Sequence, residues 1–161
     1  MRSATLAVSV VFAVFLGACP KKTPSSTTPE PADPDADVVT HTWLVDAHLR
    51  VKGASIAEED ANGFHGRTVV ITPDGYASPW QPACDQAKRE KRPREMNELF
   101  DELEIEKGGP SKAAAFGMTS DLLEFRMTCK ERGTPLFIWV GGKHAMTCFG
   151  GACYLMKRFE D

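Results

Sequence analysis

The chain reads as a single small α+β domain: an antiparallel sheet with a C-terminal meander and helices packed on one face. Three observations predict this. Period-two alternation marks strands at both ends of the domain, an apolar stripe at helical spacing marks a helix in the middle, and Gly-Gly pairs punctuate the last third as hairpin turns. A small curled half-barrel is the near alternative.

The first strand is predicted over His41–Val51, where Trp43, Val45, Ala47, Leu49 and Val51 alternate with mostly polar neighbours. Ser55 and Glu58 have capping-box spacing, and Asn62-Gly63 is a stop, so a helix of about two turns follows. Arg67–Thr72 is the next strand. Pro73-Asp74-Gly75 is a turn, and Tyr76–Ser78 returns. Asp85 to Arg92 is rich in helix formers, which predicts a helix interrupted at Pro93. Met96, Leu99, Phe100 and Leu103 then recur at i, i+3, i+4 and i+7, an amphipathic helix. Gly108-Gly109-Pro110 breaks it, and Ser111 caps a short helix to Phe116.

In the last third, Leu123, Phe125, Met127 and Cys129 share one face, and Glu124, Arg126, Thr128 and Lys130 share the other. Leu136–Val140 is continuously apolar, as in a strand covered on both sides. Gly141-Gly142 is a hairpin turn, 143–148 returns, Phe149-Gly-Gly-Ala152 turns again, and 153–159 closes the sheet.

The organisation is a signal peptide at 1–18, Cys19 with a tether to 39, and one globular domain at 40–161. The run from Leu6 to Leu16 is almost wholly apolar and follows Arg2. It is shorter than the roughly 20 apolar residues a membrane span needs, and it has the shape of an export signal. It ends in Leu16-Gly17-Ala18-Cys19, which resembles a bacterial lipobox. That resemblance implies that Cys19 receives lipid (the palmitate of a lipoprotein) and becomes the mature N-terminus. Residues 20–39 hold five prolines and no aromatic residue, the composition of a tether. At roughly 3 Å per extended residue it reaches up to about 50 Å from the bilayer. Pro20 stands where an aspartate would favour the inner membrane, so the outer membrane is expected. The remaining domain resembles small exported envelope lipoproteins and, loosely, the lipoprotein inhibitors of lysozyme.

Apart from Cys19, four cysteines remain: Cys84, Cys129, Cys148 and Cys153. An even number in an oxidising periplasm predicts two disulfides. Cys148 and Cys153 flank a short turn, so they are expected to pair, which leaves Cys84 with Cys129. Cys129 with Cys148 is the rival pairing. No Cys-x-x-Cys pair and no second close pair suits a redox or metal site, so no metal and no cofactor are expected.

The formal net charge of −3 speaks against nucleic acid as a partner. There is no Gly-x-Ser-x-Gly elbow, His-Glu-x-x-His helix or phosphate-cradling loop, and no catalytic residue is assigned. His41 and His48 lie seven apart on the first strand, so strict alternation puts them on opposite faces. His65 and His144 are candidates for one site beside Asp46 or Asp74.

Lys88, Arg89, Lys91 and Arg92 form a basic patch suited to an anionic lipid or an acidic envelope protein. Its alternative is a solvated helix with Asp85–Arg89 and Glu90–Arg94 pairs. Trp80, held between Pro79 and Pro82, and nearby Tyr76 are candidate recognition residues. The function expected is that of a non-catalytic binding or structural lipoprotein of the envelope. A protein inhibitor or lipocalin-like carrier and a small periplasmic enzyme are the alternatives. Replacing Cys19 by Ala is expected to move the protein from the membrane fraction to the soluble fraction; variant protein that still pellets with membranes overturns the anchor.

Overall fold

The computed structural model describes residues 36–54, 56–131 and 133–160. The expected signal peptide, Cys19 and the tether up to residue 35 lie outside the described residues. The first element, α1 (Ala36–Val39), begins before the expected domain boundary at 40. Val39 is fully buried, and its carbonyl accepts a hydrogen bond from Trp43 Nε1 at 2.9 Å. The end of the predicted tether is therefore part of the folded body.

Eight strands follow in one sheet: β1 (Thr42–Arg50), β2 (Thr68–Thr72), β3 (Gly75–Ala77), β4 (Ala87–Glu95), β5 (Asp121–Cys129), β6 (Leu136–Gly141), β7 (His144–Phe149) and β8 (Ala152–Arg158). Three further helices are α2 (Glu58–Asn62), α3 (Met96–Glu102) and α4 (Gly109–Phe116). The strand order is β3-β2-β1-β8-β7-β6-β5-β4, and every neighbouring pair is antiparallel. A short N-terminal meander and a long C-terminal one thus join where β1 pairs with β8.

The sheet curls until its edges approach. Tyr76 and Cys84 exchange both backbone hydrogen bonds at 2.8 Å, and Ala87 N–H donates to Asp74 O at 2.7 Å. Arg89 Nη2 donates to Thr72 O at 2.7 Å across the same seam. A Cβ on Gly75 would stand 2.1 Å from Cys84 O, so only glycine permits the approach. The result is a nearly barrel-shaped sheet, closer to the curled half-barrel than to a simple layered arrangement.

Both faces are apolar where the strands are central. The interior holds Trp43, Val45, Val69, Ile71, Phe125, Met127, Ile138, Tyr154 and Met156. The outer face carries Leu49, Leu122, Trp139, Met146, Cys153 and Leu155, which pack with Met96, Leu99 and Phe100 of α3 and Ala113 of α4. This explains the unbroken apolar runs of β6 and β8: odd and even residues enter different cores. Each fully buried Leu, Ile, Phe or Met contributes about 1.5–3 kcal/mol.

Residues 85–92 correct the sequence reading. No helix forms there; Ala87–Glu95 is a strand paired with β5 along its whole length, from Ala87↔Cys129 to Glu95↔Asp121. Helix propensity is worth tenths of a kcal/mol per residue, and a continuous ladder outweighs it. Pro93 is tolerated because β4 is an edge strand. The predicted helix start at Ser111 also moves: α4 begins at Gly109, with Gly108 as its N-cap.

The disulfides are Cys84–Cys129 and Cys148–Cys153. The first ties the seam to β5, and the second joins directly opposed residues of β7 and β8. Replacing Cys84 and Cys129 together by Ala is expected to cost about 3–4 kcal/mol in denaturant unfolding, because the bond closes a span of 45 residues. The same change at Cys148 and Cys153, five residues apart, is expected to cost less through chain entropy. Non-reducing peptide mapping checks the pairing.

Candidate functional site

The basic run is the first candidate, and its charges prove to be internally matched. Strand alternation puts Lys88, Glu90, Arg92 and Arg94 on one face. Lys88 Nζ lies 2.8 Å from Glu90 Oε1, and Arg126 Nη1 lies 3.5 Å from Glu90 Oε2. Arg92 Nε donates to Glu124 Oε1 at 2.6 Å, and Arg94 pairs with Glu102. Glu124 is only 4% exposed, although the alternation of β5 placed it on the polar face. Trp139 Nε1 also donates to it at 2.8 Å, so the carboxylate is satisfied on both oxygens. A groove of about 280 Å³ lies here, lined by Glu90, Lys91, Arg92, Glu124, Arg126 and Phe137. It mixes carboxylates with cations, and the pairs among them suit strand cohesion better than capture of an anion.

The second candidate is an aromatic mouth at one end of the barrel. Three connecting segments build it. The Asn62–Gly66 turn presents Phe64 and His65, and Gly66 N–H fixes it to β1 through Val45 O at 2.8 Å. The loop after β3 presents Trp80, with Ser78 Oγ accepting from Gln81 N–H at 3.3 Å. The β7–β8 hairpin presents Phe149 beside Gly150 and Gly151, whose positive φ values of 62° and 90° make the tight turn. Beneath them lies Tyr154, which is 0% exposed.

Trp80 stacks on Tyr154, with centroids 5.0 Å apart and planes 15° apart, and on Phe149 at 6.1 Å and 17°. Phe64 meets Trp80 and Tyr154 edge-on at 5.6 and 5.3 Å. Such pairs add about 0.5–1.5 kcal/mol each beyond area burial. Phe149 nevertheless remains 42% exposed, and Phe64 and Trp80 are half-buried.

Beside the aromatics runs a hydrogen-bonded chain. His48 Nδ1 lies 3.0 Å from His65 Nε2, and His48 Nε2 lies 3.4 Å from Glu58 Oε1. An ionised carboxylate only accepts, so His48 carries its proton on Nε2. His48 Nδ1 then accepts from His65 Nε2–H, which leaves His65 Nδ1 as a bare acceptor. Burial lowers the His65 pKa from its ordinary value, and His48 lowers it further; Asp46 and Glu58 oppose this. Burial, then Asp60, raises the pKa of Tyr154.

Of the residues picked from the sequence, Trp80 and His65 meet in this mouth. Tyr76 does not present its ring to solvent: it is 3% exposed at the seam. His144 lies elsewhere, where its Nδ1–H donates to Gly117 O at 3.0 Å and its ring meets Phe116, so no His65–His144 site exists. The alternation argument for His41 and His48 also fails, because β1 has a bulge between Val45 and Ala47. The bulge aims His48 at His65. Sequence reasoning missed His48, Glu58, Phe64, Phe149 and Tyr154 as site members; the one local signal was that Phe64 and Phe149 adjoin glycine turns. Among the described residues, no group of three or more His, Cys, Asp or Glu is arranged to hold a metal ion, and no helix is long and apolar enough to cross a membrane.

Comparison of the chain with protein-family models, curated proteins and solved structures gives no match.

The lowered pKa of His65 makes a stability prediction. The unfolded chain binds this proton first as pH falls through about 6.5, so stability declines from there down to the folded-state value and then levels. The titratable groups facing the ring are His48, Asp46 (paired with Lys157) and Glu58 (beside Arg50). His65→Gln is expected to flatten this part of the stability–pH curve, measured by urea unfolding at stepped pH. An unchanged slope overturns the assignment.

Proposed function

We propose that the chain is a bacterial envelope lipoprotein, anchored through Cys19 on the outer membrane, whose domain recognises a partner without transforming it. The observation that carries this is the mouth itself. Four aromatic rings from three connecting segments and the last strand stack into one cluster, yet Phe149 and part of Trp80 stay accessible. Stiff aromatic side chains on a fixed scaffold give contact area at low entropic cost, the usual make-up of a binding hot spot. The two disulfides and the α3–α4 pair packed on the outer sheet face supply that scaffold, in keeping with an α+β domain.

The partner we favour is an envelope protein. An anionic lipid surface would need a field of unmatched cations, and Lys88 and Arg92 instead face Glu90 and Glu124. No catalytic role is assigned to the mouth.

A photoreactive phenylalanine analogue at position 149 tests the proposal in intact cells. A discrete cross-linked species of higher mass is expected from position 149 and not from position 112 on α4. Phe149→Asp is expected to abolish the corresponding cross-link made from position 80 while shifting the thermal midpoint by no more than a few degrees, because the side chain is already part-exposed. Absence of a species at position 149, or an equal one at position 112, overturns the reading.

A further inference from the structure

The partner's chemistry is written in the charges that border the aromatic mouth. Helix α2 leads into the turn carrying Phe64 and His65, and it presents Glu58, Glu59 and Asp60, all exposed. Glu58 is occupied by His48 and Arg50. Glu59 and Asp60 form no ion pair among the described residues, in contrast to Glu90, Glu102 and Glu124 of the β4 region, each of which has an arginine or lysine partner. Glu98 and Asp101 on α3 likewise form no ion pair among the described residues, so what sets Glu59 and Asp60 apart is their place beside the exposed rings.

A second observation points to a ligand at the same place. Tyr154 is 0% exposed, and its hydroxyl has no hydrogen-bond partner among the described residues. It lies within the electrostatic reach of Asp60 yet does not bond to it. Trp80, stacked on Tyr154, likewise has a buried indole N–H without an acceptor. A buried polar group left without a partner costs about 1–3 kcal/mol, and the Tyr154 hydroxyl can accept from a cationic donor that reaches it. The chain Glu58–His48–His65 adds a bare acceptor, His65 Nδ1, from the same turn.

We infer that the mouth takes a cationic polypeptide segment, an arginine or lysine side chain entering between the aromatic rings and the Glu59–Asp60 carboxylates. Aromatic faces attract a cation through their quadrupole, and carboxylates at the rim supply the charge complement. A guanidinium or ammonium group donates to carboxylate and to the tyrosine oxygen alike, and its peptide carbonyl is an acceptor for the Trp80 indole. Phe64 and Trp80 cover Tyr154, so a cation that reaches the hydroxyl displaces one of these rings, and Trp80 emission reports the event. Trp43 and Trp139 are buried at 0% and 4% exposure and serve as a constant background.

This inference rests on the recognition reading above and specifies its partner. The test titrates the purified full chain with a hexa-arginine peptide, followed by tryptophan emission. Saturable binding at low salt is expected, weakening on going to 0.15 M salt as charge is screened. Glu59→Gln combined with Asp60→Asn is expected to weaken it roughly tenfold. Glu98→Gln combined with Asp101→Asn removes the same charge from α3 and is expected to leave it unchanged. A hexa-glutamate peptide is expected not to bind. Equal weakening in both double variants shows diffuse attraction to an acidic protein and overturns the inference, as does the absence of saturable binding. If the peptide fails while position 149 still cross-links in cells, the mouth binds a partner of another chemistry and only the cationic assignment falls.

Discussion

The contact between the edge strand β3 and the segment leading into β4, at Gly75 and Cys84, constrains everything else in this domain. An open antiparallel sheet of eight strands has two exposed edges, each a template for unwanted pairing. Here β3 and β4 are consecutive in the chain, and the loop between them folds the edges together. The backbone bonds between Tyr76 and Cys84 need a separation that no side chain on Gly75 would permit. The Cys84–Cys129 bond then holds the seam against β5. Once the seam is set, the curvature of the sheet follows, and the concave face closes over Trp43, Phe125 and Ile138.

The seam also explains the charge pattern of β4. Only its first residues reach the β2–β3 hairpin, where Ala87 and Arg89 donate to Asp74 O and Thr72 O. The rest of the strand is an uncovered edge, and it is occupied by Lys, Arg, Glu and Pro, residues that discourage further pairing. The dense basic run is thus an edge-protecting device first. Its outward members are matched with Glu90, Glu102 and Glu124, so the charge that looks like a docking surface in one dimension is neutralised in three.

Much of the sheet was legible because its signals are local. Alternation along 42–50 and 121–129, the apolar run at 136–141 and the glycine turns at 141–142 and 150–151 each depend on a few neighbours in sequence. β4 was not legible, because its composition favours helix and its strand conformation comes from pairing with residues more than 25 positions away. The disulfide pairing was legible for a related reason: the turn between Cys148 and Cys153 made them opposite, and elimination did the rest. The mouth resisted reading because its members come from positions 48, 58, 64–65, 80, 149 and 154, brought together only when the barrel curls. The β1 bulge reversed the one local rule that bore on it, the alternation argument for His48.

The position of that bulge ties the fold to the site. Before it, Trp43 and Val45 point into the barrel; after it, Leu49 packs outward with α3 and α4. Strict alternation would send His48 to the outer apolar face, where its ring nitrogens would lack partners. The extra residue, Asp46, is itself exposed and paired with Lys157 at 3.2 Å. The shift turns His48 toward the mouth, where Glu58 and His65 satisfy both of its nitrogens in a side chain only 7% exposed. One inserted residue therefore serves two ends: it lets the upper half of β1 cover the helical core, and it orders the proton positions of a histidine pair at the opening of the barrel. A regular strand would turn Leu49 into the barrel, away from α3 and α4, and would leave the imidazole without partners, at a cost of about 1–3 kcal/mol.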